Sequence, residues 1–350
     1  MAPIVLTHVA FCNVRFSSFR GHHQMKQFLG LLILAGLLWT DAVYAEPPLT
    51  INYPSMCDAS AAVAINEKMF VVANDEDNVL RVYRRGEPGP PQRIDLTGLL
   101  GVSDKHPEVD IEGAARIGDT IYWISSHGQN RDGKDRPNRH RFFATKISLQ
   151  GENVDLQPEG QVYTELRSDL IDAPELKKYR LEKAAKRAPE DNGGFNIEGL
   201  AATPDGAMLI GFRNPLYNDR SIVVPLLNPQ QVIAGARARF GAPSELELGG
   251  RGIRSIDYSE KRGRYLIVAG PTDDDGSFAL YAWSGSGDQV ERVQNVDFAG
   301  LKPEAMLAFP GEAEAVDFLS DDGGVELNGV VCKKASPAAR RFRAWSWSGR

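Results

Sequence analysis

Polar and apolar positions alternate in blocks along most of this chain, and one block recurs. Residues 196–214 (NIEGLAATPDGAMLIGFRN) run from a polar triplet ending in Glu198 through an apolar run, a Pro-Asp-Gly turn, a second apolar run and a polar pair. Short apolar runs bounded by turn residues predict two strands joined by a hairpin, with polar residues at the same end of both. The same order runs from Ser60 to Asp75, from Glu112 to His127, from Arg254 to Pro271 and from Glu304 to Asp322. Each copy is followed by another apolar run that reads as a third strand. Ser60, Glu112, Glu198, Arg254 and Glu304 hold the third position of the five copies, at spacings of 52, 86, 56 and 50 residues. A repeat of about 50 residues with three or four strands per unit predicts an all-β fold, a β-propeller.

The longest interval holds an insertion. Residues 174–187 (PELKKYRLEKAAKR) have helix-forming composition, with Asp172 placed as a cap and Pro189 beyond the end. A helical excursion near residues 165–190 is therefore expected between the second and third units. Gly128 to His140 forms a second, irregular excursion, and Gly86 to Pro91 reads as a loop. Five units predict five blades; six would require a degenerate blade around residues 86–105 or 155–170. A ring must close its last blade on its first. The strand Leu49 to Tyr53 is available for that closure. Cys57 and Cys332 fall in the first and last units, so a disulfide between them would fasten it.

The N-terminus changes the domain picture. Phe28 to Trp39 is a run of 12 apolar residues and glycines, preceded by Arg20, His22, His23 and Lys26 and followed by small residues at Val43 and Ala45. This is the order of a secretory signal peptide over residues 1–45, with Met25 as an alternative start and cleavage expected after Ala45. The run is short for a membrane span of roughly 20 residues. The expectation is a periplasmic or secreted chain, a single propeller over residues 46–350, with no stable membrane span after cleavage. Cleavage removes Arg15, Arg20, Lys26 and Asp41, which takes the net charge from −6 to −8. That balance argues against nucleic acid as a partner.

The candidate chemistry follows from the ring. Innermost strands line the channel of a propeller, so Glu112, Glu198 and Glu304 should meet at one mouth, with Asp110 and Asn196 two residues earlier. Clustered carboxylates need a cation or a basic partner. Oxygen ligands of this kind suit Ca²⁺ or another divalent cation. Arg213 and Arg254 offer the other solution, a ring of ion pairs. At the second-strand ends, His127 is a candidate base, and Asp322 is a candidate acid–base group or ligand. Arg213, Asn214, Arg254 and Asp75 are candidates for binding a small anionic molecule.

The stretches CDASAAVAINEKMFVVANDEDNVLRVYR, VDIEGAARIGDTIYWISSHGQNRDGK, FNIEGLAATPDGAMLIGFRNPL, GGRGIRSIDYSEKRGRYLIVAGP and FLSDDGG resemble the bacterial domain of unknown function family 3616. The resemblance covers most of residues 56–345 and implies no activity. More distantly, the Glu-Gly strand starts are similar to those of phytase-like esterase and gluconolactonase-type propellers. In the latter, a Glu at such a start helps hold a divalent cation, which would apply here to Glu112, Glu198 and Glu304; Arg254 departs from that pattern. Two readings follow. One is a cation-dependent hydrolase of a phosphate ester, lactone or other ester. The other is a non-catalytic binding or scaffold propeller with a structural ring of ion pairs.

Overall fold

Five antiparallel sheets of four strands each account for nearly all the regular structure. The computed structural model describes residues 50–102, 105–273, 275–311 and 315–349; the expected signal peptide lies outside the described residues. Blade one is Ala61–Ala64, Met69–Asn74, Asp77–Arg84 and Glu87–Asp95. Blade two is Ile111–Ile117, Thr120–Ser125, Phe142–Gln150 and Asn153–Tyr163. Blade three is Asn196–Ala202, Met208–Asn214, Ser221–Leu226 and Ser244–Leu246, and blade four is Gly252–Ser259, Arg264–Gly270, Ala279–Trp283 and Val290–Arg292. Blade five takes three strands from the C-terminal end, Pro303–Ala308, Val316–Ser320 and Arg341–Trp347, and its outer strand, Thr50–Pro54, from the other. The ring is five-bladed, and each blade starts at the residue triplet marked by the repeat.

The N-terminal strand closes the ring as expected, pairing Thr50 with Trp345 through to Pro54 with Arg341. Cys57 and Cys332 are disulfide-bonded across 275 residues of sequence. Closing so long a loop restricts the unfolded chain by roughly 5–6 kcal/mol in the chain-entropy account, of which native disulfides typically deliver only part. Two expectations need correction. Residues 86–91 are no loop, because Glu87–Asp95 is the outer strand of blade one. Its prolines, Pro88, Pro90 and Pro91, are tolerated because an edge strand can leave amide positions unpaired. The insertion is no single helix either. It opens early with Leu166–Asp172, continues as a 3₁₀ turn over Pro174–Tyr179, and restarts at Leu181–Ala184 after Arg180 takes a left-handed φ of 53°. Pro174 cannot continue the first helix.

Apolar side chains fill the seams between neighbouring blades. Trp123, Phe143 and Val71 pack between blades one and two, and Tyr53, Phe70, Phe309 and Phe342 between blades five and one. The insertion contributes Leu166, Leu170, Leu176 and Leu181 to the seam of blades two and three, so it is anchored rather than appended. Each such buried side chain contributes about 1.5–3 kcal/mol relative to exposure. Two glycines explain the Glu-Gly signature. A Cβ at Gly113 would meet Ile124 at 2.8 Å and Leu200 at 3.1 Å, and one at Gly199 would meet Ile253 at 2.9 Å. Glycine after the glutamate lets neighbouring inner strands approach at the channel.

Candidate functional site

The glutamates reach the channel through a backbone device the pattern alone does not reveal. In blade two, Ile111 pairs with Ser125 and Gly113 with Ile124, leaving Glu112 as an extra residue. Glu198, Arg254 and Glu304 sit at the equivalent irregularity of blades three, four and five. A bulge of this kind interrupts the ladder for one residue and re-aims its side chain. At blade one the position belongs to Ser60, whose hydroxyl donates to the carbonyl of Ile111 at 2.6 Å and so ties blade one to blade two.

These side chains line a cavity of 320 Å³ at one mouth of the channel, together with Asp58, Asp75, Asp110, Asn196, Arg213 and Asp321. Its walls carry eleven acidic and six basic residues. The two sides are built differently. On the side of blades three to five the charges are matched. Arg254 Nε lies 2.7 Å from Glu198 Oε2, and its Nη2 donates to Glu304. Arg213 Nη1 donates to Glu198 Oε1 at 2.9 Å, and Asn196 Nδ2 donates to the same oxygen at 2.9 Å. Arg213 also holds the carbonyl of Asp273 at 2.7 Å, and Arg254 that of Pro271 at 3.2 Å. Glu198 is 3% exposed and Arg254 5%, so this is a buried network whose members depend on one another. Burial, with Arg213 nearby, lowers the Arg254 pKa; at Arg213 burial acts the same way but Glu198 outweighs it and the pKa is raised.

On the side of blades one, two and five the carboxylates outnumber their partners. One oxygen each of Asp75, Asp110 and Glu112 lies within 4.8 Å of the others, and Asp58, Asp75 and Glu76 form a second such group. Arg139, from the excursion between the second and third strands of blade two, binds Glu108 and reaches Asp110 Oδ2 at 3.0 Å, while Lys333 pairs with Glu76 at 2.9 Å. Asp75 Oδ1 is buried with no hydrogen-bond partner among the described residues, and so is Asn196 Oδ1, on a residue 4% exposed. Burial, and then the charge of Asp321 beside it, pushes Asp58 up to about 8. Burial and the charges of Asp58, Asp321 and Asp110 raise Asp75 well above the carboxylate range. Burial with Asp110 and Glu198 does the same at Glu112, and burial raises Asp110 against the pull of Arg139. These shifts describe carboxylates that cannot all ionise side by side.

The expected residues divide accordingly. Glu112, Glu198, Glu304, Asp75, Arg213 and Arg254 meet at the mouth. Of the three glutamates expected to share a cation, only Glu112 stands among the unmatched carboxylates. His127, Asp322 and Asn214 lie outside the cavity. His127 is fully buried at φ 58°, its Nδ1 donates to the carbonyl of Ser125 at 2.8 Å, and its ring stacks on His140. Burial brings its pKa down to about 3. Asp322 accepts from Arg343 Nε at 2.9 Å, from Arg343 Nη2 at 2.7 Å and from Ser320 Oγ at 2.8 Å, which pins the last blade. Asn214 Nδ2 donates to the carbonyls of Pro189 and Asp191 and anchors the end of the insertion. Glu76, Glu108 and Lys333 belong to the mouth without holding a position that the repeat marks, whereas Asp58, two residues before Ser60, holds the position of Asp110 and Asn196, which sequence reasoning missed. A further signal was proximity to the cysteines, since Asp58 follows Cys57 and Lys333 follows Cys332, and Asp58 bridges to Asp321.

Fold and mouth together define a five-bladed propeller with a charged cavity at one end of its channel. Residues 58–148 and 144–344 match the family described as Protein of unknown function (DUF3616), and the chain belongs to it. No curated protein matches the sequence. Solved structures similar to it include glutaminyl cyclase of Myxococcus xanthus (11% identity, 86% of this chain and 98% of that one, TM-score 0.41). Also similar are a putative glucose dehydrogenase of Thermus thermophilus (14%, 86% and 100%, 0.43) and an aldose sugar dehydrogenase of Streptomyces coelicolor with bound PQQ (8%, 87% and 100%, 0.40).

Proposed function

We propose that this propeller holds a hard divalent cation, Ca²⁺ in first place, on the carboxylates of blades one, two and five. We further propose that the loaded mouth acts on a small anionic molecule, with hydrolysis of an ester, lactone or phosphate ester as the reaction class. The observation that carries the reading is the imbalance of the mouth: Asp75, Asp110 and Glu112 place oxygens within 4.8 Å of one another without enough basic partners. The buried, unpartnered Asn196 Oδ1 lining the same cavity supports it independently. Carboxylate and amide oxygens from several strands suit Ca²⁺, which takes six to eight oxygen ligands.

Asp75, Asp110 and Glu112 would hold the ion, with Asp58 beside them. The ion would supply Lewis acidity toward an oxygen of the anionic ligand. In the ion-free mouth, burial and Asp321 keep Asp58 protonated near neutral pH; with the ion beside it Asp58 would be charged and could serve as a general base. Glu198, Glu304, Arg213 and Arg254 serve as the rigid floor. The scaffold reading is favoured only for that floor, where every charge has a partner. The disulfide and the leader-like order of residues 1–45 support an exported protein.

The test is calorimetric titration of Ca²⁺ into chelator-treated protein, repeated with Asp75→Asn and Glu112→Gln. Saturable binding that either variant weakens at least about ten-fold is expected. No binding heat and no shift in melting on adding Ca²⁺ would sink the reading. An ester, lactone and phosphatase screen with and without Ca²⁺ then tests the reaction class.

A further inference from the structure

A second cavity of 570 Å³ opens at the same mouth, between blades four and five. It shares Phe278, Lys302 and Asp321 with the acidic cavity, so the two adjoin along a common wall. Its character is different. Phe278, Phe298, Leu301 and Val325 line it, and Val325 is 37% exposed. Phe298 and Leu301 come from the connection between the two blades, and Val325 from the excursion that follows the strand Val316–Ser320. A volume of this size falls in the range of roughly 300–1,000 Å³ typical of small-molecule sites.

Lys302 stands at the junction. Its side chain is exposed, lines both cavities and has no ion-pair partner among the described residues, whereas Lys333, the other lysine of the mouth, is bound to Glu76. An unpaired ammonium between an apolar slot and a cation site matches one shape of ligand. We infer that the ligand is an amphipathic anion: its charged head lies between Lys302 and the cation site, and its hydrocarbon or aromatic arm fills the slot of Phe278, Phe298, Leu301 and Val325. This rests on the cation reading for the head and on the slot alone for the arm. The surrounding carboxylates would repel the head until a cation offsets them, so head binding should require the ion while arm binding should scale with apolar length.

The experiment uses n-alkyl phosphates from methyl to hexyl as probes, titrated into the whole protein with and without Ca²⁺. In Ca²⁺, affinity should rise about four-fold per methylene until the slot is full, as burial of a CH₂ predicts. Ala299→Trp, at an exposed slot residue whose amide is held by Asp297 and which does not line the acidic cavity, should flatten that rise while keeping Ca²⁺ affinity. Val325→Trp, on another part of the wall, checks the same point should the first variant fold poorly. Lys302→Gln should weaken all the phosphates by a similar factor and leave the slope intact. A flat series in the wild type, or a slope that survives both tryptophans, overturns the slot. If Ca²⁺ does not bind but the slope exists and is lost in the tryptophan variants, the cation reading falls and the slot stands.

Discussion

The two sides of the mouth are built from the same repeat position and come out electrostatically opposite. Glu112 and Glu198 each stand at a bulge one residue before a close-approach glycine. In ring order Glu198 is followed by Arg254, which binds it and the next glutamate, Glu304. Glu112 is preceded by Ser60, which commits its hydroxyl to the backbone of blade two. The bulge thus delivers a side chain to the axis, and the neighbouring unit decides whether that side chain is matched. One arginine in five positions turns half of the ring into a structural floor. The serine leaves the other half acidic, where burial and neighbouring carboxylates raise Asp58, Asp75 and Glu112.

The sharpest way to break the comparison is to make the same substitution on each side. Glu198→Gln leaves Arg213 and Arg254 buried without their shared carboxylate, and should cost about 3–5 kcal/mol. Asp75→Asn removes a group whose ionisation its burial and neighbours resist, and should leave the ion-free protein as stable or more stable near neutral pH. Urea denaturation in chelator reads both; equal losses would mean the two sides are not distinct. Next in size is Cys57→Ser, expected to cost about 2–4 kcal/mol. Because Asp58 and Lys333 flank the two cysteines, it should also weaken Ca²⁺ binding by calorimetry, whereas a loss of stability alone would separate the closure from the site.

The pH dependence sharpens the same point. Acids whose folded pKa is raised hold more protons in the native than in the unfolded chain, so stability falls as pH climbs from the ordinary carboxylate value toward the folded one. With Asp58 raised from 3.8 to about 8 and Glu108 from 4.5 to about 7, that window spans the acidic to neutral range. Ion-free protein should therefore melt lower at about pH 8 than at about pH 6.5, and Ca²⁺ affinity should rise with pH as protons leave the carboxylates of the mouth. At a hundred-fold excess over its dissociation constant, Ca²⁺ should restore about 2.7 kcal/mol. His127 and His140 oppose this trend below about pH 6.5, so the decisive range lies above it: a melting temperature that still climbs between about pH 7 and pH 8 in chelator would contradict the raised carboxylates.

Much of the ring was legible because repetition is a strong signal. Unit boundaries, third strands and the closing strand follow from turn residues and short apolar runs, and so does the meeting of Glu112, Glu198 and Glu304. What resisted reading depends on geometry outside the repeat. Pairing of Arg254 with two glutamates arises from the bulges, which change the register by one residue without marking the sequence. Asp58 holds the repeat position of Asp110 and Asn196, but its pairing with Asp321 depends on closure of the ring, and Arg139 enters through an irregular excursion. The strand Glu87–Asp95 was hidden by three prolines, which an outer edge tolerates and an inner strand would not. His127 and Asp322 occupy repeat positions at the ends of second strands, yet the chain turns them away from the cavity into contacts that hold the blades.

His127 provides the smallest expected effect and the most direct check on that last distinction. Its backbone sits at φ 58°, a conformation asparagine tolerates better than most residues, and an asparagine amide could still donate toward Ser125. His127→Asn should change stability near neutral pH by no more than about 1 kcal/mol, the usual scale of a lost stack and hydrogen bond. The sign then differs from that of the carboxylates. A histidine whose folded pKa is lowered from 6.5 to about 3 contributes stability that is present above pH 6.5 and lost as pH falls toward the folded value. The variant should therefore lose less stability than the wild type between about pH 6.5 and pH 4, with His140, lowered to about 4, still supplying part of the slope. Its Ca²⁺ affinity should stay within about two-fold of the wild type, because the ring reaches none of the carboxylates that line the mouth. A ten-fold loss of ion binding, or of any turnover found in the screen, with stability preserved, would return His127 to the site and make the mouth larger than its cavity.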